Sequence, residues 1–281
     1  MIWNIITDSS CDLQTLSFND ENNELRYDSV PFVLTVGGED FVDDGTLDVE
    51  SMLYAMEHSP EAGVSACPSP AAWLEKYERE GSVIAVTISK NLSGSYNSAC
   101  AARDMAHEEQ PDKNIAVINS WSTGPALILI LKVLCRCIRA GMSFDETVQT
   151  AQLAAEKNET VFALSSFTNL VKNGRMSPVL GFVAQKLGFW GIGIKSPEGT
   201  IEIKGKHRGA HRAIHALIED IRERGADAKE VCICHCRADE VAERLRREIH
   251  KHWPEKSVEI YPTKGLCSFY AERNGIIVTY M

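Results

Sequence analysis

Apolar, β-branched runs that stop abruptly at short polar loops are the feature that most limits what this chain can fold into. IWNIIT (2–7) runs into TDSSCD (7–12), VIAVTI (83–88) into SKNLSGSYNS (89–98), and NIAVIN (114–119) into NSWSTG (119–124). Helical patterns follow the second and third runs, through SACAARDMAHEE (98–109) and from Pro125 onward. Continuously apolar strands are buried on both faces, and strands separated by helices pair in parallel. This half of the chain therefore reads as a Rossmann-like α/β unit around a parallel sheet. Ligands of such sheets gather beyond the carboxyl ends of the strands, so the three polar loops should converge on one edge. VPFVLTVGGEDFVDDG (30–45) departs from the pattern and reads as a hairpin about Gly37-Gly38, inserted outside the parallel sheet.

A capping box, SFDE (143–146), opens a helix that should run to about Asn158. A second set of elements then starts at VFALSS (161–166). It comprises helices near TNLVKN and VLGFVAQKLG, a strand TIEIKG, a helix AHRAIHALIEDIRERG, a strand EVCICHC, a helix ADEVAERLRREIHKHW, and strands SVEIYP and GIIVTYM. A length of 281 residues suits two domains better than one. The expected division is 1–158, the N-terminal α/β domain carrying the hairpin, and 159–281, a C-terminal α/β domain. No Pro- or Gly-rich linker marks the join, so the halves should press tightly together.

The net charge of −10 opposes nucleic acid and anionic lipid surfaces unless a local basic patch overcomes it. The one such patch, KGKHRGAHR (204–212), reads as a solvated basic loop before a helix start at Gly209. No signal-type leader opens the chain, which implies a cytoplasmic protein. The most apolar stretch, PALILILKVL (125–134), contains Lys132 and falls far short of the ~20 residues of a bilayer span, so it reads as a core helix without stable membrane insertion. Nine cysteines, an odd count without a secretory signal, should be reduced. Along a strand, Cys232, Cys234 and Cys236 share one face and His235 takes the other, so these thiols read as small buried hydrophobes. Cys135 and Cys137 diverge on a helix. Neither a metal nor a cofactor is expected.

The serine cluster behind VIAVTI is the most informative site candidate. It stands at a strand end and a helix start, where unpaired N–H groups favour an anion. Ser93 and Ser95 add hydroxyl donors, and Gly94 lets a ligand approach the backbone. Capping accounts for one serine of the four. A nucleophilic Ser93 is the rival reading, but Asn-Leu-Ser-Gly-Ser lacks the leading glycine of a hydrolase elbow, and no base among His207, His211, His215 and His235 can be placed beside it. In VSACPSP (64–70), Ser69 reads as the cap of the helix AAWLEKYE, which leaves Ser65 free to face a ligand. NGRMS (173–177) ends a short helix at Gly174 and leaves Arg175 on an exposed turn, suited to a carboxylate or phosphate or simply to solvent.

Taken in order, ITDSSCDL, VPFVL, SACPS, ISKNLSGSYNSA, LVKNGRMS and the small-residue C-terminal strand make the chain similar to the DegV family over essentially its whole length. The resemblance implies a two-domain α/β fatty-acid-binding protein, with a parallel sheet in the first domain, a mixed sheet in the second and a lipid tunnel between them. It implies a long-chain fatty acid as ligand and, in bacterial members, a separate ATP-dependent fatty acid kinase as partner. By position, Ser93 matches the serine that binds the carboxylate, Ser65 stands where the family has threonine in the same role, and Arg175 matches an arginine at the head-group mouth. No G-x-x-x-x-G-K-[ST] or kinase signature is present, in keeping with a binding protein rather than an enzyme.

One departure matters most. In CSFYAER (267–273), Phe269 stands where many kinase-coupled members carry a histidine that contacts the carboxylate. Either Tyr270 or another group completes the head-group site, or the ligand is bound differently. Ala66 and Cys67 replace the usual Ser-Gln, and Asn119 a usual aspartate. PALILIL (125–131) and VLGFVAQKLGFWGIGI (179–194) are candidate tunnel linings, with Phe189 and Trp190 at the distal end. The alternatives to a kinase-coupled carrier are a lipid-ester serine hydrolase using Ser93 and a fatty-acid sensor that involves no phosphoryl chemistry.

Overall fold

The computed structural model describes residues 1–176 and 188–281. In the first half, β1 (Ile2–Asp8), β2 (Glu24–Val30), β3 (Val33–Val36) and β4 (Glu39–Val42) precede α1 (Val49–His58). Then come β5 (Val64–Ala66), α2 (Pro70–Tyr77), β6 (Ser82–Thr87), α3 (Ser95–Glu109), β7 (Ile115–Asn119), α4 (Pro125–Arg139) and α5 (Phe144–Lys157). The expected parallel sheet forms in the order β2-β1-β6-β7. Its edge strand β2 goes unseen in the sequence because ELRYDSV is polar and half-exposed. Trp73, Tyr77, Ala99 and Ala102 of α2 and α3 cover one face, and α4 with α5 covers the other.

The hairpin at Gly37-Gly38 is present, and both glycines take positive φ. It acquires a third strand, β5, so that Leu34 lies opposite both Phe41 and Ser65. Ser69 caps α2 and the Ser143–Glu146 capping box opens α5, as the sequence indicates.

In the second half the elements are β8 (Glu159–Leu164), α6 (Thr168–Lys172), β9 (Phe189–Lys195), β10 (Ile201–Arg208) and α7 (Ala210–Arg224). They continue with β11 (Glu230–His235), α8 (Asp239–His252), β12 (Ser257–Pro262), α9 (Gly265–Ala271) and β13 (Ile276–Tyr280). Six strands pair in the order β10-β9-β8-β13-β11-β12, antiparallel except for β11 with β12. The basic stretch 204–208 belongs to β10, not to a loop, with alternate side chains exposed, while α7 does begin just after Gly209. The helix expected over 179–188 falls, save its last residue, outside the described residues.

Cys232 and Cys234 pack with α4, while Val231 and Ile233 pack with α7 and α8. Helix α4 is therefore held between the two sheets, which explains why it is apolar nearly all round. Leu127 to Leu131 of PALILIL sit in that core, and no residue of the stretch is among the walls of the cleft described below, although Ile128 borders a separate surface pocket beside Lys132. Lys132 reaches the rim and pairs with Glu259. No described helix is long and apolar enough to cross a membrane.

Candidate functional site

The three polar loops do converge. Asp8, at the end of β1, is buried and accepts from Ser10 Oγ (2.5 Å), Ser95 Oγ (2.6 Å) and the N–H of Ile88 (3.0 Å). Ser89 N–H donates to Ser122 O, Ser120 N–H to Thr87 O, and Gly124 N–H to Ser10 O. Burial raises the Asp8 carboxyl above its ordinary range, against the lowering pull of those donors. The Ser95 hydroxyl, read from the sequence as a ligand donor, is spent on Asp8 and buried, so its role here is to hold the loop after β6 against the loop after β1.

Beside this knot lies an apolar cleft between the loops of the first domain and the mixed sheet of the second. One part holds about 520 Å³ of non-atom space, partly open to solvent, with Trp121, Phe162, Leu164 and Ile201 among its walls. An adjoining part of about 500 Å³ has Phe32, Ile88, Ser65, Ser93 and Arg175 in its walls. Leu92, Thr123, Leu170, Ile201, Tyr270 and Ile277 line both, so the two parts are continuous.

The polar groups of the second part cluster. Ser65, at the centre of β5 on the inner face, lies 2.7 Å through its Oγ from the Tyr270 hydroxyl. Ser93 is half-buried, and its Oγ accepts the Ser95 N–H at 3.3 Å, which leaves its hydrogen available. Arg175 is half-buried rather than exposed, because its guanidinium folds back: Nε donates to Leu92 O (3.2 Å) and one terminal nitrogen to Asn173 O (2.5 Å). Asn173 in turn donates to Gly63 O, tying the end of α6 to the start of β5.

Helix α9 brings Tyr270 to the cleft and turns Phe269 away from it. Phe269 is fully buried among Phe32, Leu34, Met52 and Leu266, its ring edge-on to Tyr270 and pressed on Gly63. It is a packing residue and not among the described cleft walls. Two buried carboxylates seat the helix. Asp12 accepts the Lys264 N–H, and Asp43 accepts those of Gly265 and Leu266. Neither aspartate was singled out in the sequence, although Asp12 lies in TDSSCD. Trp190 faces α7 with Ile192, because strand alternation assigns it to the side away from the cleft. Phe189, one residue earlier in β9, is likewise not among the described walls.

No histidine lines the cleft among the described residues, so Ser93 has no imidazole base at hand. No described group of His, Cys, Asp or Glu is arranged to hold a metal ion.

The DegV family model matches residues 2–280. The chain belongs to the DegV family. A DegV domain-containing protein of Streptococcus pyogenes serotype M1 is 40% identical over all of this chain and 99% of its own length. Among solved DegV-type structures, the Fatty Acid Kinase (Fak) B3 protein of Streptococcus pneumoniae, loaded with linoleic acid, superposes with a TM-score of 0.94. It is 36% identical, with 100% of this chain and 99% of that one covered. A DegV family protein of Eubacterium eligens loaded with heptadecanoic acid gives a TM-score of 0.92 at 34% identity, with 99% of both chains covered. The α/β architecture described above, with its parallel sheet, its mixed sheet and the small three-stranded sheet, is thus the DegV fold.

Proposed function

We propose that this DegV protein binds a long-chain fatty acid between its two domains, divided at residue 158, with the carboxylate at the Ser65, Ser93 and Tyr270 end of the cleft and the alkyl tail in the part walled by Trp121, Phe162 and Leu164. One observation carries the reading: in a continuous apolar cleft, the hydroxyls of Ser122, Thr160 and Thr200 and the Lys195 ammonium in one part are paired with protein groups, whereas Ser65, Ser93, Tyr270 and Arg175 meet in the other. An acid with a tail matches that polarity, and an ester or a sugar does not. Each buried methylene contributes about 0.8 kcal/mol, so roughly 16 carbons supply on the order of 10 kcal/mol before ordering costs, while the hydroxyls set direction. Fatty acids bound to DegV relatives at 34–36% identity support the same ligand class.

The protein then acts as a cytoplasmic carrier that presents the carboxylate to a separate ATP-dependent fatty acid kinase, with Arg175 at the mouth. The name of the pneumococcal relative supports this partner. Nine cysteines without a disulfide suit a reducing compartment.

Mass spectrometry of the small molecule released on denaturing the purified protein tests the ligand. A fatty acid is expected, and protein that carries none and takes up none when offered would overturn the proposal. Incubating loaded protein with a fatty acid kinase and ATP tests the carrier role. Acyl phosphate formed only in the presence of this protein supports it, and loaded protein that yields none leaves the sensor reading in its place.

A further inference from the structure

The tail end of the cleft is shaped by a residue that does not line it. On the cleft side of the mixed sheet, one row runs across the strands as Ile277, Phe162, Gly193 and Ile203. Alternation along β9 places Gly191 and Gly193 on this side, opposite Leu164 and Phe162. A Cβ built on Gly193 would stand 2.2 Å from Phe162 Cζ and 2.5 Å from its Cε2, and 2.9 Å from Glu202 O. The phenyl ring therefore lies down over bare backbone, in the place where any other residue would put its side chain. φ at Gly193 is not in the left-handed region, so the glycine answers a need for space, not for conformation.

Resting on the fatty-acid reading above, we propose that the Gly193–Phe162 pair sets how long an acyl chain the protein accepts. Displaced from Gly193, the ring meets Ile277 on β13 on its other side, Leu164 along its own strand, and Phe167, whose ring centroid is 6.3 Å away. The cleft is its remaining exit. A side chain at 193 thus turns the ring up into the tail space and shortens it, and a smaller side chain at 162 lengthens it.

The test compares delipidated wild type, Gly193→Ala, Phe162→Leu and the double variant, each titrated with a homologous series of straight-chain fatty acids from medium to very long. Gly193→Ala is expected to keep medium-chain affinity and to lose roughly tenfold on the longest chain wild type holds, the worth of about two buried methylenes. Phe162→Leu should move the optimum to longer chains, and the double variant should return toward wild type. A wild-type length profile in Gly193→Ala would overturn the proposal, as would a loss equal at all lengths that Phe162→Leu does not repair. Wild type that binds no member of the series would remove the underlying ligand reading instead.

Discussion

On the proposed fatty-acid reading, one hydroxyl pair offers a donor to the head group. The 2.7 Å contact between Ser65 Oγ and Tyr270 Oη uses one hydrogen between two oxygens, so the other hydrogen remains for a carboxylate. Hydrogen bonds to a charged group are worth about 1.5–3 kcal/mol. Tyr270→Phe should therefore weaken fatty-acid binding by tenfold or more in displacement titrations and leave the fold intact, since the ring keeps its place. An unchanged Kd would remove Tyr270 from the head-group site.

A second residue-scale prediction concerns pH. Burial pushes the Asp12 carboxyl up to about 6, against the lowering effect of the Lys264 N–H, and pushes Asp43 up too. Because Asp12 titrates higher folded than unfolded, the native state binds the extra proton between about pH 4 and 6. Stability from this group is then greatest below pH 4, falls as pH rises to 6 and stays flat above, by on the order of 3 kcal/mol. Asp12→Asn should flatten that part of a Tm-against-pH curve, and a slope as steep as wild type's would show that other groups cause it. Ser65 and Ser93 stand out in the sequence because helix capping does not need them, and Tyr270 only through the departure at its neighbour Phe269; the structure brings all three into one cleft wall. Ser95 was misread because its partner, Asp8, is 87 positions away in the chain.

Among elements, α9 shows what a sequence hides. GLCSFYA has seven residues, begins with glycine and has no charged face, so neither period nor composition marks it as helical. It folds because Asp43 receives the first two N–H groups of a helix that is too short to form alone. Asp43→Ala leaves those buried donors without an acceptor, at about 1–3 kcal/mol for each unpaired group. Urea denaturation should report a loss of at least about 2 kcal/mol, with weaker fatty-acid binding because Tyr270 moves with the helix. A variant as stable as wild type would show that α9 is seated by packing alone. The long elements were the opposite case: β1, β6, β7, α4 and the capped α5 announce themselves by runs and caps that owe nothing to distant partners. β9 is absent from the strands expected of the sequence: FWGIGIK carries two glycines in seven residues, which weaken a strand pattern, and it stands out only as part of an apolar stretch.

For the molecule as a whole, a cleft between two domains has to be reconciled with a join that has no slack. Asn158 bridges α5 and β8, its side chain donating to Ser120 O, while Lys195 of β9 donates to its carbonyl. With α4 packed on both sheets, the domains share one core, so a ligand in the cleft stabilises the entire chain, not one half. At a free fatty acid concentration of 100 Kd the gain is about 2.7 kcal/mol, which for a chain of this size raises Tm by on the order of 5 °C. Delipidated protein reloaded with a fatty acid should melt later by about that much and in one transition. The fatty alcohol of the same length separates tail from head. It buries the same methylenes but brings no charge to Ser65, Ser93 and Tyr270, so its shift at equal concentration should be clearly smaller. Equal shifts would mean that the hydroxyl end recognises no carboxylate and that the tail alone holds the ligand.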